Sequence, residues 1–179
     1  MSILAGQEVT ADELNALGNR IATATTASAA DTSAETVIAT YVIPANDPSL
    51  TLNGGYELHL WGEASCTGTP SLIIRARMGS VSGTNLGQFT NTCQDNGSNM
   101  SFNVRMGMMI TASGSSGTFD DTIELISVLA SATTAWQGET TRGASIDTTG
   151  SVTIVITATW SAASASNVCT ADIGSIDRI

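Results

Sequence analysis

An all-β fold is what this sequence predicts: one antiparallel, jelly-roll-like β-sandwich over residues 35–179, preceded by a helical anchor and linker over residues 1–34. Three observations carry the expectation. Apolar and polar residues alternate at period two in about seven separate segments, the pattern of strands with one face in a core and one in water. Turn-forming clusters such as Asn53-Gly54-Gly55 and Ser113-Gly114-Ser115-Ser116-Gly117 separate those segments. Charged residues make up only 12% of the chain, and Thr, Ser, Ala and Gly stand in their place. That exchange suits outward strand positions and tight turns better than the wet face of a long helix.

The N-terminal segment reads differently from the rest. Thr10-Ala11-Asp12-Glu13 has the capping-box pattern, with Thr10 as N-cap and Glu13 at the third helical position. Val9 and Leu14 sit where a hydrophobic staple would close, and Leu14, Leu17 and Ile21 recur at helical spacing. The spacing predicts a helix from Ala11 to about Ala22 with a narrow apolar stripe. A helix that short is marginal alone in water, so its stripe is expected to dock on something else. Thr23 to Ala34 is an Ala/Thr/Ser stretch that reads as an extended connection.

The strands follow in order. Val37, Ala39, Tyr41 and Ile43 form the first apolar face, ended by Pro44 and the Asn46-Asp47-Pro48 turn. Tyr56, Leu58, Leu60 and Gly62 face one way, with Glu57, His59, Trp61 and Glu63 opposite. Leu72, Ile74, Ala76 and Met78 alternate with the outward Arg75 and Arg77, and Gly79 to Gly87 reads as a flexible loop. Phe102, Val104, Met106, Met108 and Ile110 share a face, and the next strand ends near Leu129. Ala130 to Thr149 reads as a long loop carrying Trp136 and Arg142. Val152 to Trp160 alternates again, and a final strand runs from about Asn167 to Arg178. No helical pattern intervenes, so a βαβ fold is excluded.

Composition limits the function. All six cationic residues are Arg against 16 acidic ones, a net charge of −10, which leaves few contacts for phosphates and argues against nucleic-acid binding. No apolar run reaches the roughly 18 residues of a membrane span, so no membrane insertion is expected. Met1 to Gly6 lacks the basic start of a signal peptide, and release by lysis or within an assembly is the expectation. Cys66, Cys93 and Cys169 are odd in number and widely spaced, which argues against a disulfide framework or zinc site; buried free thiols are expected, with one disulfide left open.

Residues for chemistry are sparse. His59 is the only histidine, too little for a triad or a multi-histidine metal site, and reads as a surface or interface residue. Asp120, Asp121 and Glu124 could offer oxygens to Ca²⁺ but lack the spacing of a calcium loop, so a solvated turn and strand start is preferred. A glycoside-cleaving enzyme would need paired carboxylates in a cleft, and nothing selects Asp120 or Glu124 for that work. A non-enzymatic protein without cofactor or metal is expected. Arg75 and Arg77, with Arg105 on a neighbouring strand, are candidates for an interface fork that takes carboxylates. Glu57 and Glu63, across the sheet or on another subunit, are the expected partners, with ordinary cross-strand surface pairing as the alternative. Trp160 reads as core, Trp61 as packing on another subunit, and Trp136 as a loop anchor or a glycan contact.

Two stretches carry a resemblance. Gly6-Gln7-Glu8-Val9-Thr10-Ala11-Asp12-Glu13-Leu14-Asn15 resembles the opening of many phage tail-fibre, minor tail and head-decoration proteins. The alternating segments from Thr36 to Asn46, Leu58 to Ala64, Gly68 to Gly79 and Val155 to Asn167 resemble a jelly-roll module recurrent in tailed-phage virion proteins. The resemblance implies a surface-exposed, commonly trimeric structural module of the virion, with other capsid or tail proteins as partners and no active-site residues. A capsid decoration or head-spike protein is the first expectation. The alternative is a minor tail or fibre protein that binds a host surface glycan through loops 79–87 and 130–149.

Overall fold

The computed structural model describes residues 20–130 and 133–179, with backbone alone for 127–130 and 133–137. The expected helix falls largely on residues 1–19, among them Val9, Thr10, Glu13, Leu14 and Leu17, which lie outside the described residues. Its expected last turn is not helical: Arg20–Thr23 is strand β1. Ile21 packs half-buried against the core there, and pairing with the C-terminal strand outweighs a local spacing that suits helix equally well.

Two antiparallel sheets make the fold. The chain continues through β2 (Thr25–Thr26), β3 (Ser28–Ala30), β4 (Thr36–Ile43), β5 (Gly55–Ser65) and β6 (Ser71–Met78). It then forms β7 (Asn85–Thr92), β8 (Met100–Ala112), β9 (Gly117–Ala130), β10 (Thr133–Ile146), β11 (Val152–Trp160) and β12 (Val168–Arg178). The larger sheet has the order β1-β12-β5-β8-β9-β10, with β3 also beside β12; the smaller has β2-β4-β11-β6-β7.

The pairing is nested. The N-terminal strands pair with β12, β4 with β11, β5 with β8, and β6 with β7. Successive pairs alternate between the sheets, which is a long hairpin rolled up into a jelly roll. The β9–β10 hairpin is added between β8 and β11, so the larger sheet extends past the smaller one on that side.

The stretch 23–34, expected to be extended, is extended and also paired. β1 and β3 bond to β12 while β2 bonds to β4. The Ala24 N–H donates to Gly174 O and the Ala27 N–H to Ile38 O, so this segment stitches the two sheets together along one side. Two other expected loops are strands. Residues 130–149 are mostly β10, which completes its backbone bonding against β9. The second half of 79–87 begins β7, a hairpin partner of β6. Both lack regular alternation of large apolar residues, and neighbouring strands supply the order that composition does not.

The alternation elsewhere builds the core. Tyr56, Leu58, Leu60, Phe102, Val104, Met106, Phe119 and Ile123 of the larger sheet meet Tyr41, Leu72, Ile74, Ile154, Ile156 and Trp160 of the smaller, all buried. A bulge in β4 shifts the expected inner set: Ile156 pairs with Ala39 and Thr157 with Val37. Ile38 and Ala39 are therefore both buried and Val37 only partly so. At Gly62 a Cβ would collide with the Thr170 carbonyl and the Phe102 ring, so strand β5 has no side chain at that inner position.

Candidate functional site

The outer face of the larger sheet is the candidate site, because its strand registers line up exposed apolar residues in one row. Ile173 of β12 pairs with Trp61 of β5, Trp61 with Asn103 of β8, and Asn103 with Ile126 of β9. Ile126 pairs in turn with Trp136 of β10. Ile173 is 66% exposed, Trp61 46% and Ile126 44%. Single exposed apolar residues are ordinary on soluble proteins, but Ile173, Trp61 and Ile126 set in one row, with Asn103 between the last two, make this face the candidate contact surface. Trp136, expected in a loop, thus occupies a strand position in register with this row.

A polar cluster borders the row. Glu57, His59 and Trp61 point outward from β5, as the alternation predicted. The His59 and Trp61 rings stack at a centroid distance of 5.5 Å and an interplanar angle of 9°. Glu57 lies 3.3 Å from His59 Nε2 and forms an ion pair with Arg105 of the adjacent β8. Burial raises the Glu57 carboxyl, but the bonds from Arg105 and His59 outweigh it and hold the group below its ordinary value. Beside this cluster is a shallow depression of about 250 Å³ lined by Glu57, Arg105, Gly107, Thr122 and Glu124. A second depression, of about 400 Å³, includes Met109, Asp120, Arg142 and Ile179. The face therefore combines apolar anchors with carboxylates and guanidiniums, the makings of a protein contact or a polyhydroxylated ligand site.

Arg75 and Arg77 do not join this face. They lie on β6 in the smaller sheet, whereas Glu57, Glu63 and Arg105 belong to the larger one. Glu35, just before β4, takes them instead. Arg77 Nε and Nη2 donate to its two oxygens at 2.6 and 2.9 Å, and Arg75 Nη1 lies 3.4 Å away. The Thr157 hydroxyl donates to the same carboxylate at 2.5 Å. The Arg77 bond is the main reason the Glu35 carboxyl sits below its ordinary value. Both guanidiniums are thus taken up by a carboxylate of the same chain. Sequence reasoning missed Glu35 because only the sheet order brings it beside β6.

Asp120, Asp121 and Glu124 do not converge. Strand alternation places Asp121 among the inner residues Phe119 and Ile123, with Asp120 and Glu124 on the outer face. Among the described residues no group of three or more His, Cys, Asp or Glu side chains is arranged to hold a metal ion. Asp121 is 2% exposed, and neither carboxyl oxygen has a hydrogen-bond partner of good geometry. Burial pushes its acid up to about 7, against a lowering by the Thr141 backbone N–H and with further raising by Glu139 and Asp120. A second buried acid, Asp47, is satisfied: Arg178 Nη2 at 2.6 Å, the Tyr56 hydroxyl at 3.0 Å and the Ser49 N–H at 3.0 Å all donate to it. Burial raises Asp47, and those three bonds together pull it below its ordinary value.

Comparison with known proteins gives distant structural likenesses only. No family model matches the chain, and no curated protein matches it. Among solved structures, it is similar to the CBM2 module of the evolved Dit protein of Lactobacillus casei BL23 phage J-1. That likeness has 10% identity over 84% of this chain and 72% of that one, with a TM-score of 0.32. It is also similar to a chain of infectious bursal disease virus, Gx strain, with 11% identity over 89% of this chain and 40% of that one, at a TM-score of 0.26.

Proposed function

We propose that this chain is a non-enzymatic structural protein of a bacteriophage virion, a capsid decoration or head-spike protein displayed at the particle surface as a homotrimer. The observation that carries an interaction role is the row Ile173–Trp61–Asn103–Ile126, with its three exposed apolar residues, on the outer sheet face. The resemblance of residues 6–15 and of the alternating segments to phage virion proteins supplies the setting. Acidic character, with a net charge of −10, suits a surface that must stay soluble at high copy number.

Sedimentation of the purified chain at micromolar concentration tests the assembly. The reading expects a trimer for the wild type and a monomer of unchanged fold when Trp61 and Ile126 are both replaced by Glu. A wild-type monomer would overturn it. Labelling or imaging of intact particles then tests the location: stoichiometric copies on heads support a decoration protein, and copies confined to tails sink it.

A second reading is a minor tail or tail-fibre protein that binds a host surface glycan with the same face. The stacked His59–Trp61 pair beside Glu57 and Asn103 favours it, since an aromatic edge and carboxyl or amide groups together suit a sugar's apolar face and its hydroxyls. Host-cell adsorption lost with Trp61→Ala or Trp136→Ala is the expected result; a purified protein that does not adsorb to host envelopes would rule it out.

A further inference from the structure

We propose that Cys66 and Cys93 form a redox-active dithiol that closes to a disulfide joining the two sheets, with Cys169 as an unused third thiol. The three cysteines are far apart in sequence, yet all lie in one buried core cluster. Cys66 follows the last residue of β5 in the larger sheet, and Cys93 follows the last residue of β7 in the smaller. The Cys66 Sγ donates to Gln94 O at 3.1 Å, and its N–H donates to Gly97 O at 2.9 Å. Both bonds clamp Cys66 to the turn that starts at Cys93. From the other side, the Cys93 N–H donates to Pro70 O at 2.9 Å. The Cys66 Sγ thus lies against the carbonyl of the residue that follows Cys93. Cys169 sits deeper, on β12 opposite Ala64.

Exposure sets the order of events. Cys66 is 5% exposed, Cys93 2% and Cys169 fully buried, so a small reagent meets Cys66 first. With a low-molecular-weight disulfide of the glutathione type as oxidant, the Cys66 thiolate attacks one of its sulfurs and expels one reduced thiol. The Cys93 thiolate then attacks the mixed disulfide at Cys66 and expels the second. Two protein thiols lose two electrons and two protons, and the oxidant leaves as two thiols. Burial, reinforced by Cys66, pushes the Cys93 thiol up to about 12, which keeps closure slow at neutral pH and makes it faster in alkali. The bridge would tie residues 66 and 93 across the core and remove loop-closure entropy from the unfolded chain.

The test uses the full chain, incubated in its folded state with oxidised glutathione at about pH 8.5, where more of the thiol is ionised. Free thiols are then alkylated in denaturant and the peptides mapped by mass. The expected product is an intramolecular Cys66–Cys93 bridge with Cys169 alkylated, and a melting midpoint raised by about 5 °C or more that a reductant reverses. Cys169→Ser should behave like the wild type, whereas Cys66→Ser should keep its two remaining thiols reduced. Three alkylated thiols, a bridge that uses Cys169, or a lasting glutathione adduct on Cys66 would each overturn the proposal, and the wild-type map alone decides it if a variant fails to fold.

Discussion

Replacing Asp121 by Asn should remove a pH dependence of stability that the wild type carries. The side chain is buried between Phe119 and Ile123, and its oxygens lack well-formed hydrogen bonds. A carboxylate there would be charged and poorly solvated, so the folded protein holds the proton up to about pH 7. The unfolded chain releases it near the ordinary value of 3.8. Across that interval the folded state binds more protons than the unfolded one, so stability falls as pH rises and levels off above the folded value. Integrated over the window, the difference is at most about 4 kcal/mol, and relaxation of the site or entry of water will reduce it.

Urea unfolding of wild type and Asp121→Asn at several pH values measures this directly. Below about pH 4 the two should differ little, because there the wild-type carboxyl is neutral in the folded and the unfolded chain alike. Near pH 8 the variant should be more stable by about 1–3 kcal/mol, since its amide never ionises. Parallel stability profiles for the two proteins across this range would refute the reasoning. So would a variant less stable than wild type at the alkaline end. Loss on the acid side comes from other groups. Glu35, Asp47 and Glu57 have lowered folded values, so their contributions are present above the ordinary carboxylate range and vanish as pH falls through those lowered values. The two windows meet near the ordinary carboxylate values, so these contributions together are largest at about pH 4.

Two further outcomes follow from the packing. Asp47→Ala removes the acceptor that the Arg178 guanidinium and the Tyr56 hydroxyl share, and equilibrium denaturation should show a loss of about 1–3 kcal/mol. Gly62→Ala adds a methyl group where the Thr170 carbonyl and the Phe102 ring already stand, and the same assay should show a loss of about 1–3 kcal/mol.

The sandwich was legible because its central strands each carry a complete local signature. Tyr56 to Glu63 and Phe102 to Ile110 alternate without interruption, and both turn their apolar sets inward. Strands β7 and β10 were not legible, since Leu86-Gly87-Gln88-Phe89 and Glu139-Thr140-Thr141-Arg142 have few large apolar residues to mark a face. Their order comes from partners distant in sequence. The site divides in the same way. That Trp61 faces outward is a property of one strand. That Ile173, Asn103, Ile126 and residue 136 share its row depends on four pairing registers, which no single segment encodes. Arg75 and Arg77 were recognisable as a pair, but the sheet order decided that Glu35 rather than Glu57 would meet them.

The same sheet order bears on where the molecule can associate. Unpaired edge strands are the usual route to unwanted pairing between copies. Here the added β9–β10 hairpin brings β10 against the free edge of β7. The Glu139 carboxylate accepts the Gln88 N–H at 2.7 Å, and the Thr141 hydroxyl donates to Leu86 O at 2.8 Å. Two backbone groups that a neighbouring chain would otherwise use are thereby taken by side chains of the same chain. On the opposite side, the segment from β1 to β3 bonds to both sheets in turn. These side-chain bonds on β7 and the pairing of the segment from β1 to β3 disfavour extension of the smaller sheet at β7 and of the larger sheet at β12 by another copy. The hairpin that meets β7 also supplies Ile126 to the exposed row, and it places Asp121 beneath the overhang. One added element thus accounts for the bonded groups of β7, the wider outer face and the buried acid, and the cost of that acid is what the pH experiment on Asp121 measures.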